Sequence, residues 1–485
     1  MVESLSTPGP QSLPIFGAAV HMLRFVTDPI GYAGRLFRDY GPIAALVRGR
    51  PTRVVSTEPN VPGTVFVYGP ELNKALLTNH ADFHKCALTG PLYPQEPLTQ
   101  RTRPLTRTLT GLFHVNGDDH RAQRRLMMPA FHRSRIATYR DEMASITESL
   151  LENYRVGAER DLRADMMEVT LRIATGTLFG ADLGETGLAI GRDLQRWLEE
   201  FGGAVALPWD FPGTPYRRWL ELSLSIDARM TAVIAQKRKE LGTRGDMLSM
   251  LIEAQDEAGG KLTEDELIGH ASVIFAAGHE TSSNALCWTL LMLAQHPQIF
   301  RNLHDELHGR LKGEAPSLED LAELPLLDRV VKESLRLFPP APFNHRVVPR
   351  ACELLGNPLP ANTEILASIY HTHRMPEFFP DPLRFNPERW SNLDPGPYVY
   401  NPFSAGPRMC IGATFALMEI KIVLALLVQR FRFELVPGQK IDRFVSVTMA
   451  PRPALRMRIE RADGAYAGPV KLRGNVSQMF TLGAN

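Results

Sequence analysis

Over residues 139–240 apolar residues return every third or fourth position, which predicts successive amphipathic helices broken at 180–187 and 202–214. A denser pattern starts at Thr263-Glu264-Asp265-Glu266, which has the form of a capping box, and stops at Pro297. It predicts one helix of about thirty residues, longer than the usual three or four turns, and so one that crosses a core. Its run 267–294 holds His270, His279, Glu280 and Asn284, which suit a buried protein helix better than lipid. Further helices are expected at 70–79, at 326–338 ahead of Pro339-Pro340, and over the apolar run 411–431. Residues 43–47, 65–68, 343–350 and 365–370 read as strands, with more β-rich segments ending near residue 459. Residues 83–115, rich in Thr, Pro and Gly, predict a long loop. The stretch 48–63, with three prolines, is too long for a hairpin and has no evident role, and 462–485 is aperiodic and polar, which predicts loose packing. The expected class is mainly α with a smaller β region.

Composition changes this little. The 44% hydrophobic and 22% charged residues are ordinary for a globular protein, and a net charge of +1 advertises no nucleic-acid partner. Cys86, Cys287, Cys352 and Cys410 lie far apart with no C-x-x-C pair, which argues against a disulfide framework or a zinc site and suits a reducing compartment. Residues 1–7 are too short and polar for a signal or anchor, so a soluble, cytoplasmic protein with no membrane span is expected.

The chemistry concentrates in Phe403-Ser404-Ala405-Gly406-Pro407-Arg408-Met409-Cys410-Ile411-Gly412. A cysteine at a helix N-terminus is favoured as thiolate, which makes Cys410 a candidate metal ligand; a buried core cysteine at a turn is the alternative. Gly406 and Gly412 would let the backbone pass close to a flat, bulky group, and Arg408 could pair with a carboxylate on it. The whole pattern, F-x-x-G-x-R-x-C-x-G, resembles the haem-binding signature of the cytochrome P-450 superfamily at every fixed position. Midway along the long helix stand Ala277-Gly278-His279-Glu280-Thr281. A glycine inside a helix costs about 1 kcal/mol relative to alanine, and an acid and a hydroxyl in an apolar stretch add a desolvation cost. The segment is similar to the family's A-G-x-[D/E]-T motif, in which the helix opens beside the haem to admit oxygen and the acid and alcohol relay protons. The plainer alternative has Thr281 bonding back to a helix carbonyl and Glu280 in a salt bridge.

His120 and Arg124, spaced i and i+4, share a helix face. They resemble the family's motif for the haem propionates, while a solvated basic face is the other reading; Arg346 sits where the family places a further propionate partner. Glu333 and Arg336, at i and i+3, together with Arg389 in Phe385-Asn386-Pro387-Glu388-Arg389-Trp390, resemble the buried triad that holds the cysteine loop.

The resemblance, to a soluble bacterial-type member, covers residues 40–459 as one catalytic domain, with 1–39 as an N-terminal segment and 460–485 as a tail. It implies haem b between the long central helix and the cysteine helix, with Cys410 as thiolate ligand and Phe403, Gly406, Gly412, Arg408, His120, Arg124 and Arg346 around it. Thiolate ligation favours O–O cleavage. The implied activity is monooxygenation: O2 is activated and an apolar lipid, terpenoid, steroid or polyketide-like molecule is hydroxylated or epoxidised. Peroxide-using or isomerising relatives, and a haem sensor or electron carrier, are the alternatives. By analogy the pocket draws on Phe113, Ile274, Ala277, Pro342, Phe343, Asn344, Ser446 and Val447. The residues after Cys410 are too few for a flavin or iron–sulfur domain. Electrons from NAD(P)H are therefore expected through a separate ferredoxin or flavodoxin-like protein, docking on Arg121, Arg124, Arg125, Arg133 and Arg135 of a monomer.

Overall fold

The capping box forms as expected: Thr263 Oγ1 accepts from the Glu266 N–H at 3.2 Å, and Glu266 Oε2 accepts from the Thr263 N–H at 2.8 Å. From it runs the central helix, Glu264–Gln295, 32 residues and about 48 Å long at 1.5 Å per residue. His296 closes it and Pro297 opens the next helix, Pro297–Leu311. The computed structural model describes residues 5–14, 17–58, 60–86, 92, 94, 97–180, 183–240, 245–255, 259–464 and 466–482. Helices Thr102–Leu109, Leu162–Phe179, Pro325–Leu337 and Ala413–Arg430 all pack against the central helix. The last of these, the cysteine helix, begins two residues later than predicted and is buried over most of its second half.

The amphipathic run separates into Arg140–Leu151, Leu162–Phe179, Gly184–Ala206 and Pro215–Lys237. The last two lie against each other through the Trp197 and Trp219 rings, 4.9 Å apart, and Trp197 Nε1 donates to Ser223 Oγ at 2.8 Å. A four-stranded sheet orders Ile43–Ala45, Thr64–Val67, Glu364–Ser368 and Phe343–Val347, the middle pair parallel and the outer pairs antiparallel. The stretch 48–63 now has a role. Buried Glu364 takes hydrogen bonds from the Val54, Val55 and Ser56 amides and from Thr64 Oγ1, so one carboxylate at the start of a strand anchors the middle of the connection.

Two expectations need correction. The predicted loop 83–115 contains the helix Thr102–Leu109, which buries Pro104, Leu105 and Thr108; eight residues are too few to declare a period. Residues 87–91, 93, 95 and 96 of that loop lie outside the described residues. The tail, expected to pack loosely, buries Val476, Met479 and Phe480. Gln295, the last residue of the central helix, donates from Nε2 to the Val470 carbonyl at 2.8 Å and accepts from the Val470 N–H at 2.7 Å. Among the described residues no helix is long and apolar enough to cross a membrane.

Candidate functional site

The central helix is buried at both ends of its apolar run, yet Ile274, Ala277, Gly278, Glu280 and Thr281 are half-exposed. Ile274, Ala277 and Thr281 follow at i, i+3 and i+7 and share one stripe, while half-exposed Val273, Ala276 and Glu280 lie on the adjoining face. A Cβ added at Gly278 would meet nothing within 4 Å. The helix is continuous through this segment and does not open, contrary to what the motif implied. Thr281 Oγ1 donates to the Ala277 carbonyl at 2.5 Å, which is the plainer of the two alternatives; its oxygen lone pairs stay available. Glu280 has no ion pair among the described residues, and its charge reaches Arg452.

The cysteine loop turns on Ser404 and Gly406, with φ of 62° and 70°. A Cβ at Gly406 would stand 2.4 Å from the Leu77 carbonyl, so this glycine serves close packing against helix Pro70–Thr78, where proximity to a bound group had been expected. Gly412 is the open one, its nearest neighbour being the Phe131 ring at 3.8 Å. The Cys410 N–H donates to the Phe403 carbonyl at 2.9 Å, and Phe403 packs partly buried against the core. The Cys410 side chain is accessible yet surrounded by protein. Burial pushes the thiol up, against the Gly412 N–H and the Arg124 charge, which favour thiolate.

The triad forms as expected. Arg336 donates to both Glu333 oxygens at 2.9 and 2.8 Å, Arg389 Nε donates at 3.0 Å, and the Asn386 N–H and Trp390 Nε1 complete the shell. Burial raises the Glu333 carboxyl, but the two arginines and these bonds together hold it below the usual range. His373, which sequence reasoning missed, carries the network onward. It stands against the Arg336 carbonyl through Nδ1 at 3.3 Å and accepts from the Asn401 N–H at Nε2, and the Asn401 carbonyl takes the Ser404 N–H. Burial, with Arg336 beside it, pushes the ring down to about 3, so it stays neutral with its proton on Nδ1.

Arg124, Arg346 and Arg408 gather near Cys410 with no ion-pair partner among the described residues. Arg408 donates to the Leu112 and Val115 carbonyls and to Asn116 Oδ1. Arg346 is buried, and its Nη2 has no hydrogen-bond partner among the described residues. His120 is buried and pushed down to about 4 by burial and by Arg408 and Arg124, so it is neutral. Lys85 is a further member that sequence reasoning missed: its ammonium lies 3.3 Å from Asn344 Oδ1 and 5.9 Å from the Phe113 ring centre. Burial, Arg346 and Arg408 hold it well below the ordinary lysine range. Such crowding of like charges is unfavourable unless anions answer it. A flat macrocycle with two carboxylates fits: the cations would hold the carboxylates, Gly412 and Gly278 leave room for its faces, and Cys410 stands ready as a ligand.

The family model described as Cytochrome P450 matches residues 7–457. The chain belongs to the cytochrome P450 family. It is 31% identical over 382 residues to cyclooctat-9-en-7-ol 5-monooxygenase of Streptomyces melanosporofaciens, covering 76% of this chain and 82% of that protein. Cyclooctatin synthase of the same organism is 32% identical over 391 residues, 78% and 80% of the two chains. Among solved structures, the retinoic acid-bound cyanobacterial CYP120A1 superposes with a TM-score of 0.79 at 25% identity, covering 95% of this chain and all of that one. The mainly helical P450 fold and the monooxygenase class both stand on these relatives.

In this P450 the residues expected to line a pocket divide. Ile274 and Ala277 lie on the half-exposed stripe. Ser446 and Val447 form an exposed turn drawn to the central helix by Asn284 Nδ2 donating to Thr448 Oγ1 at 3.2 Å, and to the buried proline corner at 339–342 by the Met449 N–H donating to the Pro340 carbonyl. Phe113, 45% exposed, lies beside Lys85. Phe343 turns its ring edge-on to Phe66, into the sheet. Asn344 is a correction: its amide donates to Ser404 Oγ at 2.8 Å and accepts from Arg346 and Lys85, so it organises the cations and is not free to orient a substrate. Of the basic stretch, Arg124 points inward, whereas Arg121, Arg125, Arg133 and Arg135 are exposed. Glu419, buried on the cysteine helix and pushed up to about 8 by burial against the Ser282 hydroxyl, is an acid that sequence reasoning also missed.

Proposed function

We propose that this P450 monooxygenase hydroxylates or epoxidises an apolar small molecule of terpenoid or lipid type, with Cys410 as the haem thiolate and Glu280 and Thr281 as the proton-handling pair. One combination carries the reading: a half-exposed, largely apolar segment of the central helix bearing an acid and an alcohol, and a cysteine bordered by cations that lack carboxylate partners among the described residues. The two Streptomyces relatives, one of them named as a monooxygenase of cyclooctat-9-en-7-ol, support the terpenoid-type substrate.

Haem bound here supplies oxygen activation, and thiolate ligation favours O–O cleavage. The remaining work belongs to the chain. Ile274 and Ala277 hold the apolar substrate and exclude water. Glu280 exchanges protons with solvent, and Thr281 accepts a hydrogen bond at Oγ1 as it stands or passes its proton, the latter requiring its hydroxyl to turn from the Ala277 carbonyl. Arg124, Arg346, Arg408 and Lys85 would hold the propionates by charge-assisted bonds, with His120 as a neutral donor. Electrons come from NAD(P)H through a ferredoxin or flavodoxin-like protein that meets Arg125 and Arg133 on a cytoplasmic monomer. Both arginines are exposed without ion pairs among the described residues.

Titrating the ferric protein with terpenoids and lipids should shift its haem spectrum, and a responsive compound should be oxidised with NAD(P)H and a surrogate reductase. Thr281→Ala should keep consuming oxygen while product falls; undisturbed coupling would remove Thr281 from the relay. Arg125→Glu with Arg133→Glu should slow reduction and flatten its salt dependence, and unchanged rates would sink the docking face.

A further inference from the structure

Helix Pro297–Leu311 buries Phe300, Leu303, Leu307 and Leu311 and packs against the central helix and the cysteine helix. Beside that seated face its sequence reads His304-Asp305-Glu306-Leu307-His308. Histidines at i and i+4 are neighbours on one side of a helix. Here the two rings lie parallel, with 5° between their planes and 5.7 Å between their centres. One metal ion bonded to a nitrogen of each ring at about 2.0–2.1 Å, with an angle between right and tetrahedral, sets ring centres about 4.5–5.2 Å apart. A small rotation about the side-chain bonds closes the difference.

The surroundings favour the same role. His304 Nδ1 lies 3.2 Å from Asp305 Oδ1, and a carboxylate that accepts from Nδ1–H leaves the lone pair on Nε2. Neither His304 Nε2 nor either nitrogen of His308 makes a hydrogen bond among the described residues. The His304 side chain is 16% exposed, and His308 lies open to solvent. The other charges of this helix stretch are engaged elsewhere. Arg301 donates to the Gly464 carbonyl at 2.8 Å and stands over the Tyr466 ring, Arg310 donates to Asp320 at 2.8 Å, and Glu306 accepts from the Leu326 and Leu327 amides. Among the described residues no group of three or more metal-ligating side chains forms, so water would fill the remaining positions.

We propose that His304 and His308 chelate a divalent late first-row transition metal, Cu2+ in first place, with Asp305 orienting His304. The ion ties together the last two turns of a helix already held firmly on its inner face. Two imidazoles favour Cu2+ over Ni2+ and Zn2+ by the ordinary affinity order, and they reject Mg2+, which takes oxygen ligands. No residue of the haem site takes part, so failure here leaves the monooxygenase reading untouched.

The test is equilibrium dialysis of the haem-loaded full chain against Cu2+, Ni2+, Zn2+ or Mg2+, with bound metal counted per haem iron. The wild type should hold one Cu2+ at its tightest site, Ni2+ and Zn2+ more weakly, and no Mg2+. His304→Gln and His308→Gln should each weaken Cu2+ binding at least about tenfold, since the second bond of a chelate forms at high effective concentration. Haem content should stay unchanged in both. Moving the ring one place, with His308→Gln and Gly309→His together, should not restore binding, because residues five apart do not share a face. A Cβ at Gly309 meets nothing within 4 Å, so the shifted ring fits. Wild-type binding no tighter than that of the His304→Gln/His308→Gln double variant would overturn the site, whatever other histidines capture. Restoration by the shifted ring, or Mg2+ held as tightly as Cu2+, would overturn the chelate. His308 is exposed, so His308→Gln keeps the test open if His304→Gln fails to fold.

Discussion

On the cysteine side, Glu333 meets Arg336, Arg389, Trp390 and the Asn386 amide, and His373 uses both ring nitrogens to pass that order to Asn401 and Ser404. The half-exposed segment of the central helix is nearly bare of bonds, since Thr281 touches its own helix and Glu280 has no ion pair, and beside the cysteine Arg346 Nη2 has no hydrogen-bond partner among the described residues. The first region holds geometry and the second holds capacity. Buried polar groups are tolerable only when satisfied, and under the proposed function the unsatisfied Arg346 Nη2 is where a bound carboxylate would be received.

The comparison breaks first at Glu333. Glu333→Gln leaves Arg336 buried without its counter-charge and should destabilise the protein by about 3–5 kcal/mol in denaturant melts; a loss under about 1 kcal/mol would mean that the network is ornamental. Next comes pH. His373 is held down to about 3 from 6.5, so the stability it contributes is full above pH 6.5 and is lost as pH falls toward 3, about 2 kcal/mol of it by roughly pH 5. His373→Gln should flatten that part of the pH–stability curve, and a curve unchanged from the wild type would show that the ring titrates normally.

On the receiving side the signs should differ. Arg346→Met or Lys85→Met should move the stability of the haem-free protein by less than about 1 kcal/mol, because each removes a crowded charge. The same variants should speed haem loss to a scavenging globin about tenfold; unchanged retention would remove those residues from the propionate set. Smallest in stability is Thr281→Ala, expected within about 0.5 kcal/mol in melts despite its effect on coupling.

The parts legible in the sequence are those whose partners are close in the chain or carried by a dense motif. Thr263 with Glu266, the stop at Pro297, and Glu333 with Arg336 are local patterns, and each forms where expected. Lys85, His373 and Asn401 were not legible, because each acquires its meaning from residues far away that meet only in the folded chain. Phe343 and Asn344 show a further limit. Neighbours on a strand point to opposite faces, so the two could not both line one pocket, and Asn344 instead shares a face with Arg346, two residues on. The helix Thr102–Leu109 and the packed tail escaped because short segments and polar composition carry no period, whatever they are later pressed against.

The bond between Gln295 and Val470 sets a boundary for anyone engineering this enzyme. A primary amide there imitates a strand edge, so the final turn of the longest helix is finished by a segment some 175 positions away. Fusions appended beyond Leu482 leave that joint alone, whereas a chain trimmed ahead of Val470 surrenders it together with Met479 and Phe480. What reads as dispensable trailing sequence is the last piece of masonry in the wall.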